Sequence, residues 1–163
     1  MLTAAVHKTP VGNLYLVSDD LVLIGAGFRS FRDLFERMDT EDSTRNFKEV
    51  KRIPVISDLV NDYFDGEINA FNSIKVRQPG AKFAQEVWKV MRKIPAGKTW
   101  SYSQLADRSG NPGATRAAGT VCGKNLIAPI IPCHRVVKTG GELGNYGYGV
   151  AVKEWLLTHE GAI

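Results

Sequence analysis

Cys133, His134 and Arg135 stand side by side where an apolar run, Leu126-Ile127-Ala128-Pro129-Ile130-Ile131-Pro132, comes to an end. Sulfur nucleophiles act as thiolates, and positive charge beside a cysteine favours that form. A thiol meeting two potentially cationic side chains is therefore a candidate nucleophile, and the neighbouring imidazole a candidate base. Adjacent side chains in an extended chain are poorly placed for a direct hydrogen bond, so a bridging water is the expected route for the thiol proton. A carboxylate on the other ring nitrogen would set the tautomer, the logic common to nucleophile–base–orienter sets. The competing reading is an inert buried thiol, the usual fate of a lone cysteine. Zinc needs three or four ligands at close spacing, and Cys122, Cys133, His7, His134 and His159 are scattered, so no metal is expected. The glycines of Gly140–Gly149 do not follow a phosphate-binding pattern, and no cofactor is expected either.

The elements that must position this cluster are legible around it. Phe83, Val87, Val90, Met91 and Ile94 share one face of a helix that stops at Pro95-Ala96-Gly97. Ser101-Tyr102-Ser103-Gln104 reads as a capping box opening a helix to about Ser109, and Gly110-Asn111-Pro112-Gly113 turns the chain. A second helix, about Ala114 to Gly123, carries small residues at Ala114, Ala117, Ala118 and Gly119. Such a face allows close approach either to a neighbouring helix or to a nucleic-acid groove, and two short helices about a glycine turn fit a helix-turn-helix. The Leu126–Ile131 run should be buried, and a last helix begins near Ala151.

The first half reads differently. Leu14–Val17 and Leu21–Ile24 predict strands about a Ser18-Asp19-Asp20 turn, and a further strand is expected around Ser73–Arg77. Phe31, Leu34, Phe35 and Met38 predict one helix; Ile56, Leu59, Val60, Tyr63 and Phe64 predict another, with a polar surface loop from Glu41 to Arg52 between them. Gln78-Pro79-Gly80-Ala81 breaks both periodicities and marks the boundary between domains at 1–78 and 79–163.

Charge divides at the same place. Residues 1–78 carry 10 basic and 12 acidic side chains, a net of −2, whereas residues 79–163 carry 11 and 5, a net of +6. A basic second half suits a polyanionic partner, although surplus lysines also serve simple solubility. With 44% hydrophobic and 23% charged residues the composition is that of a globular chain, not a disordered or disulfide-framed one. No apolar run approaches a membrane span and the N-terminus lacks a leader pattern, so a cytoplasmic protein (nuclear in a eukaryote) without membrane contact is expected.

Pro132-Cys133-His134-Arg135-Val136 resembles the active-site signature of the O6-alkylguanine-DNA alkyltransferases. Phe83 to Trp88, Ile94-Pro95-Ala96-Gly97, Ser101-Tyr102, Gly110-Asn111-Pro112, Arg116-Ala117, Asn125, Gly144-Asn145-Tyr146 and Lys153-Glu154-Trp155-Leu156-Leu157 match in order. Together they span nearly all of residues 80–161, while Thr9-Pro10-Val11-Gly12-Asn13-Leu14 is a weaker match to the family's N-terminal turn.

The resemblance implies an α/β N-terminal domain, ribonuclease-H-like, and a mainly helical C-terminal domain with a helix-turn-helix or winged-helix-like core. It further implies irreversible transfer of an alkyl group from O6-alkylguanine, and less readily from O4-alkylthymine, in double-stranded DNA to Cys133. On the same basis His134 is the base acting through water, Glu160 orients it, and Asn125 holds the turn before the nucleophile. Tyr102 donates to the flipped base, and Arg116 enters the duplex from the minor groove beside Ala117 and Gly119. Val136, Tyr146 and Gly147 line the base pocket, and the protein is a monomer. Two other classes compete: a module that binds alkylated guanine without repairing it, which Cys133 argues against, and a thiol enzyme for small molecules, which the charge asymmetry argues against.

Overall fold

The computed structural model describes all residues from Met1 to Ile163, which fall into two compact units. The first comprises Met1–Pro79 together with Leu126–Ile130; the second comprises Gly80–Asn125 and Ile131–Ile163. The boundary expected at 78/79 places residues 126–130 in the second domain instead.

The first unit is built on a five-stranded sheet of order β4-β1-β2-β3-β5. β1 (Leu2–Thr9), β2 (Gly12–Asp19) and β3 (Val22–Gly27) form an antiparallel meander. β4 (Phe47–Glu49) lies parallel to β1, and β5 (Lys75–Val76) parallel to β3. Successive strand side chains point to opposite faces, and both faces are covered. Leu2, Ala4, Val17 and Ile24 pack with Leu34 of α1 (Phe31–Arg37). His7, of the opposite parity, hydrogen-bonds Ser57 of α3 (Ile56–Phe64) at 2.7 Å. Leu126 completes the cluster around α1, and its segment follows β3: Ala26 donates to the Leu126 carbonyl, and Ala128 donates back to that of Ala26.

Several details depart from expectation. β1 has no clean signal in the sequence, because the consecutive Ala4-Ala5-Val6 breaks its alternation. Leu21 lies in the turn, 49% exposed, and β3 starts one residue later. The expected polar loop holds the short helix α2 (Thr40–Ser43) as well as β4. Asp39 caps α2, and Arg45 and Arg77 pair with the buried Asp42, so polar side chains order a stretch that hydropathy alone leaves blank.

The second unit is mainly helical. It contains α4 (Lys82–Met91), α5 (Tyr102–Arg108), α6 (Thr115–Gly123) and α7 (Val150–His159). β6 (Trp100–Ser101) and β7 (Val136–Val137) add a two-stranded parallel ladder. The capping box is realised on both sides, Ser101 accepting from the Gln104 amide and Gln104 from the Ser101 amide. Trp88 of α4 donates its indole N–H to the Val121 carbonyl of α6 at 3.2 Å. The apolar run from Leu126 to Ile131 is buried as expected. No helix is long and apolar enough to cross a membrane.

Candidate active site

A single turn of 3-10 helix, Cys133–Arg135, leads into β7. Because β7 pairs with β6, Trp100 lies opposite Val136 and Ser101 opposite Val137, which brings Tyr102, the first residue of α5, to the same end of the ladder. Both cysteines are reduced: Cys133 is half-buried and Cys122 buried. The Asn125 amide, just past α6, donates to the Ile131 carbonyl at 2.8 Å and to Cys133 Sγ at 3.4 Å.

His134 is wholly buried, and its Nε2 meets Glu160 Oε2 at 2.9 Å. Glu160 is the C-cap of α7, so the helix end sets its position. An ionised carboxylate can only accept, which places the imidazole proton on Nε2. Nδ1 then carries the lone pair, and it has no hydrogen-bond partner within the protein. Burial pulls the imidazole pKa below its usual value; Glu160 opposes this, and Arg135 and Lys153 reinforce it. Burial would raise the Glu160 carboxyl, but hydrogen bonds and charge from His134 and Arg135 outweigh that and hold it well below the usual carboxylate range. With the imidazole neutral, Arg135 is the cation responsible.

That arrangement corrects one expectation. His134 and Arg135 are not a cationic pair offered to the thiol: the imidazole is neutral and the guanidinium is bound to Glu160 and the Ile94 carbonyl. A buried cation does approach from elsewhere. Lys153 of α7 is fully buried, donating 2.7 Å to the Val136 carbonyl and 3.4 Å to that of Asn145. Burial lowers its pKa, while attraction to Cys133 and Cys122 partly restores it. The sequence assigns no role to Lys153 or to an Arg135 ion pair; the available signal was that Lys153 follows the apolar Val150-Ala151-Val152 and Arg135 precedes Val136-Val137.

Tyr102 is half-buried, and burial, helped by the two thiols, pushes its phenol up to about 12. It stays a hydrogen-bond donor throughout the neutral range. A Cβ on Gly119 of α6 would sit 3.7 Å from the Tyr102 ring, and one on Gly144 would sit 3.9 Å from it. Arg116 and Ala117 are exposed on α6. Val136 is buried, whereas Tyr146 and Gly147 lie in the glycine-rich loop, Tyr146 edge-on to Tyr148 at 5.7 Å. Cys122 packs against Met91, its sulfur 3.4 Å from the thioether, and burial raises its thiol well above the usual range. All the expected site residues lie in the second unit, and hydrogen bonds link Asn125 to Cys133 and His134 to Glu160.

Residues 82–162 match the family model of the 6-O-methylguanine DNA methyltransferase, DNA binding domain. The methylated-DNA–protein-cysteine methyltransferase of Salmonella typhimurium is 37% identical over 157 residues, covering 94% of this chain and 92% of that relative. The chain belongs to the 6-O-methylguanine DNA methyltransferase family. Another family relative, from Methanosarcina acetivorans, is 34% identical over 97% of each chain. The crystal structure of Mycobacterium tuberculosis OGT in complex with DNA superposes on the 6-O-methylguanine DNA methyltransferase fold seen here with a TM-score of 0.84. It is 34% identical and covers 98% of this chain and 93% of that one. The same two-part architecture, an α/β unit and a helical unit, is thus common to this chain and that family structure.

Proposed function

We propose that this protein repairs DNA by moving the alkyl group of O6-alkylguanine onto Cys133, once per molecule, with O4-alkylthymine as a lesser substrate. The observation that carries this reading is the pairing around the nucleophile. Asn125 holds the Cys133 sulfur, and the adjacent imidazole, fixed by Glu160, keeps a lone pair on Nδ1. His134 takes the thiol proton through a water, and the sulfur attacks the alkyl carbon. The S–C bond forms as the C–O bond breaks, and the electron pair leaves on guanine. Tyr102 donates a hydrogen bond to the ring as that charge develops, the departing guanine takes up a proton from water, and His134 returns the thiol's proton to water, so no net proton is gained or lost. The thioether is stable, which makes the reaction stoichiometric. No metal or cofactor takes part.

O6 of guanine lies inside the stack, so the nucleotide has to be turned out at a cost of a few kcal/mol, less for a damaged pair. We read α5, the Ser109–Ala114 turn and α6 as a helix-turn-helix within a winged-helix-like core. Ala117 and Gly119 let α6 approach the minor groove, and Arg116 fills the gap left by the base. Val136, Tyr146 and Gly147 receive the extruded purine. The net +6 of the second half supplies attraction to phosphates. The first unit, read as ribonuclease-H-like, has a supporting role, and the protein acts as a cytoplasmic monomer.

Intact-protein mass spectrometry after mixing with a duplex holding one O6-methylguanine tests the reading. It requires gain of one methyl group, mapped to Cys133, with no second turnover. Unchanged mass with tight lesion-selective binding would mark a damage-binding module instead. Unchanged mass without binding would overturn the reading altogether.

A further inference from the structure

Three positively polarised groups converge on the one carboxylate at the end of α7. Arg135 Nε donates to Glu160 Oε1 at 2.8 Å and Nη2 to Oε2 at 3.0 Å, while His134 Nε2 shares Oε2 at 2.9 Å. The remaining guanidinium nitrogen, Nη1, is anchored on the Ile94 carbonyl at 2.8 Å. The three side chains are buried: His134 and Glu160 are 0% exposed and Arg135 4%. We infer that Arg135 is a positioning residue which acts through Glu160 on His134 and keeps the imidazole neutral, with its one proton on Nε2 and its lone pair on Nδ1. This rests on the proposed role of His134 as the base for Cys133.

The argument is one of charge matching inside a buried site. A carboxylate carries a single negative charge, and a two-pronged guanidinium satisfies it. A proton added to His134 would put a second cation beside the same anion, with Lys153 of α7 facing the imidazole as a third. The neutral tautomer is what remains: Nε2–H on Glu160 and a bare Nδ1. Without the guanidinium, Glu160 would be left to His134 alone. An imidazolium–carboxylate pair would then form, both ring nitrogens would be protonated, and neither could accept from the thiol. Removing a cation from this site therefore makes its histidine more positive. The charged and titratable groups facing His134 are Glu160 and Lys153 from α7, Arg135 from its own turn, and the thiol of Cys133 before it.

The test uses the full chain, without DNA for its main readout. Ring 15N shifts of His134 would be followed through the neutral range in the wild type, Arg135→Lys, Arg135→Met and Arg135→Gln. Iodoacetamide labelling of Cys133, resolved from Cys122 by peptide mapping, would be measured against pH in parallel. The wild type and Arg135→Lys should show a protonated Nε2 and a bare Nδ1 at neutral pH. Arg135→Met should show both nitrogens protonated, with the labelling profile moved upward by roughly one pH unit, a tenfold change in proton affinity. Arg135→Gln, which keeps a donor but not the charge, should behave like Arg135→Met and serves if the latter does not fold. A folded neutral variant with the wild-type tautomer and labelling profile, merely less stable, would overturn the inference. Failure of the wild type to take up a methyl group from DNA would overturn the proposed function and leave the tautomer result standing.

Discussion

The side chain of Asn125 donates to the carbonyl of Ile131 at 2.8 Å, joining the residues between which the chain departs into the first unit and returns. The same amide reaches Cys133, so the closure of this excursion and the placement of the proposed nucleophile depend on one side chain. Asn125→Ala should lose about 1–3 kcal/mol in urea unfolding, because a buried carbonyl forfeits its donor. Labelling of Cys133 should slow as well. Unchanged stability together with an unchanged labelling rate would contradict both halves of this assignment.

Lys153 ties β7 to the glycine-rich loop through the Val136 and Asn145 carbonyls. Replacing it with Met keeps the bulk of the stem and removes the donors. Lys153→Met should unfold about 2 kcal/mol more easily, the order expected for stranded buried carbonyls. Protease cleavage within Gly140–Gly149 should be faster, and cleavage at the wild-type rate would dissociate the lysine from loop order.

Acid should destabilise the native state in two stages. His134 is held neutral with its pKa below the usual 6.5, so the unfolded chain binds a proton first as pH falls past that value, and stability drops. Glu160, depressed below its usual 4.5, has the same sign and acts lower: its contribution is intact above that pH and is lost on further acidification. Denaturation midpoints measured from neutral pH downward should fall in both windows. Glu160→Gln should remove the lower one, and a profile flat below 6.5 in the wild type would argue against a neutral buried His134.

Arg116 is exposed on α6 and is proposed to occupy the space of the turned-out base. Arg116→Ala should slow methyl uptake from duplex DNA roughly tenfold or more, since a few kcal/mol of unstacking loses its compensation. Iodoacetamide labelling of Cys133 in the free protein should be unaffected. Equal losses in both assays would point to a distorted site instead.

Gly119 lies within α6, and an added Cβ would meet the Tyr102 ring at 3.7 Å, an ordinary contact. Gly119→Ala should therefore gain about 0.5–1 kcal/mol of stability from helix propensity. If α6 approaches a groove, the same change should weaken duplex binding, so stability and binding move in opposite directions. Binding that strengthens along with stability would remove α6 from the interface.

The helical half was legible because its signals are local. The Ser101–Gln104 capping box, the small residues of α6 and the apolar face of α4 each depend on positions within a turn or two. The Pro132–Val136 signature likewise singled out Cys133 as the candidate nucleophile. The strand β1 and the elements inside the polar stretch were not legible: β4 is ordered by pairing with β1, and α2 is held by ion pairs to Arg45 and Arg77. Arg45 lies within three positions of Asp42, but Arg77 is 35 positions from it and β1 is farther still from β4, so no short window of sequence contains both members of those pairings.

Residue order alone determined that Cys133, His134 and Arg135 would stand together at the end of a buried run, and that basic charge would gather after residue 79; the 3-10 turn they form, in place of the extended chain expected, came from the fold. Tertiary structure decided what those side chains are. Glu160, 26 positions beyond His134, took its hydrogen bond, and the same carboxylate took the Arg135 guanidinium; a pair that looks cationic in the sequence is one neutral ring and one matched ion. Segment 126–130 likewise joined the first unit by pairing with Ala26. Burial and charge pairing depend on which distant groups meet, and that is a property of the folded chain.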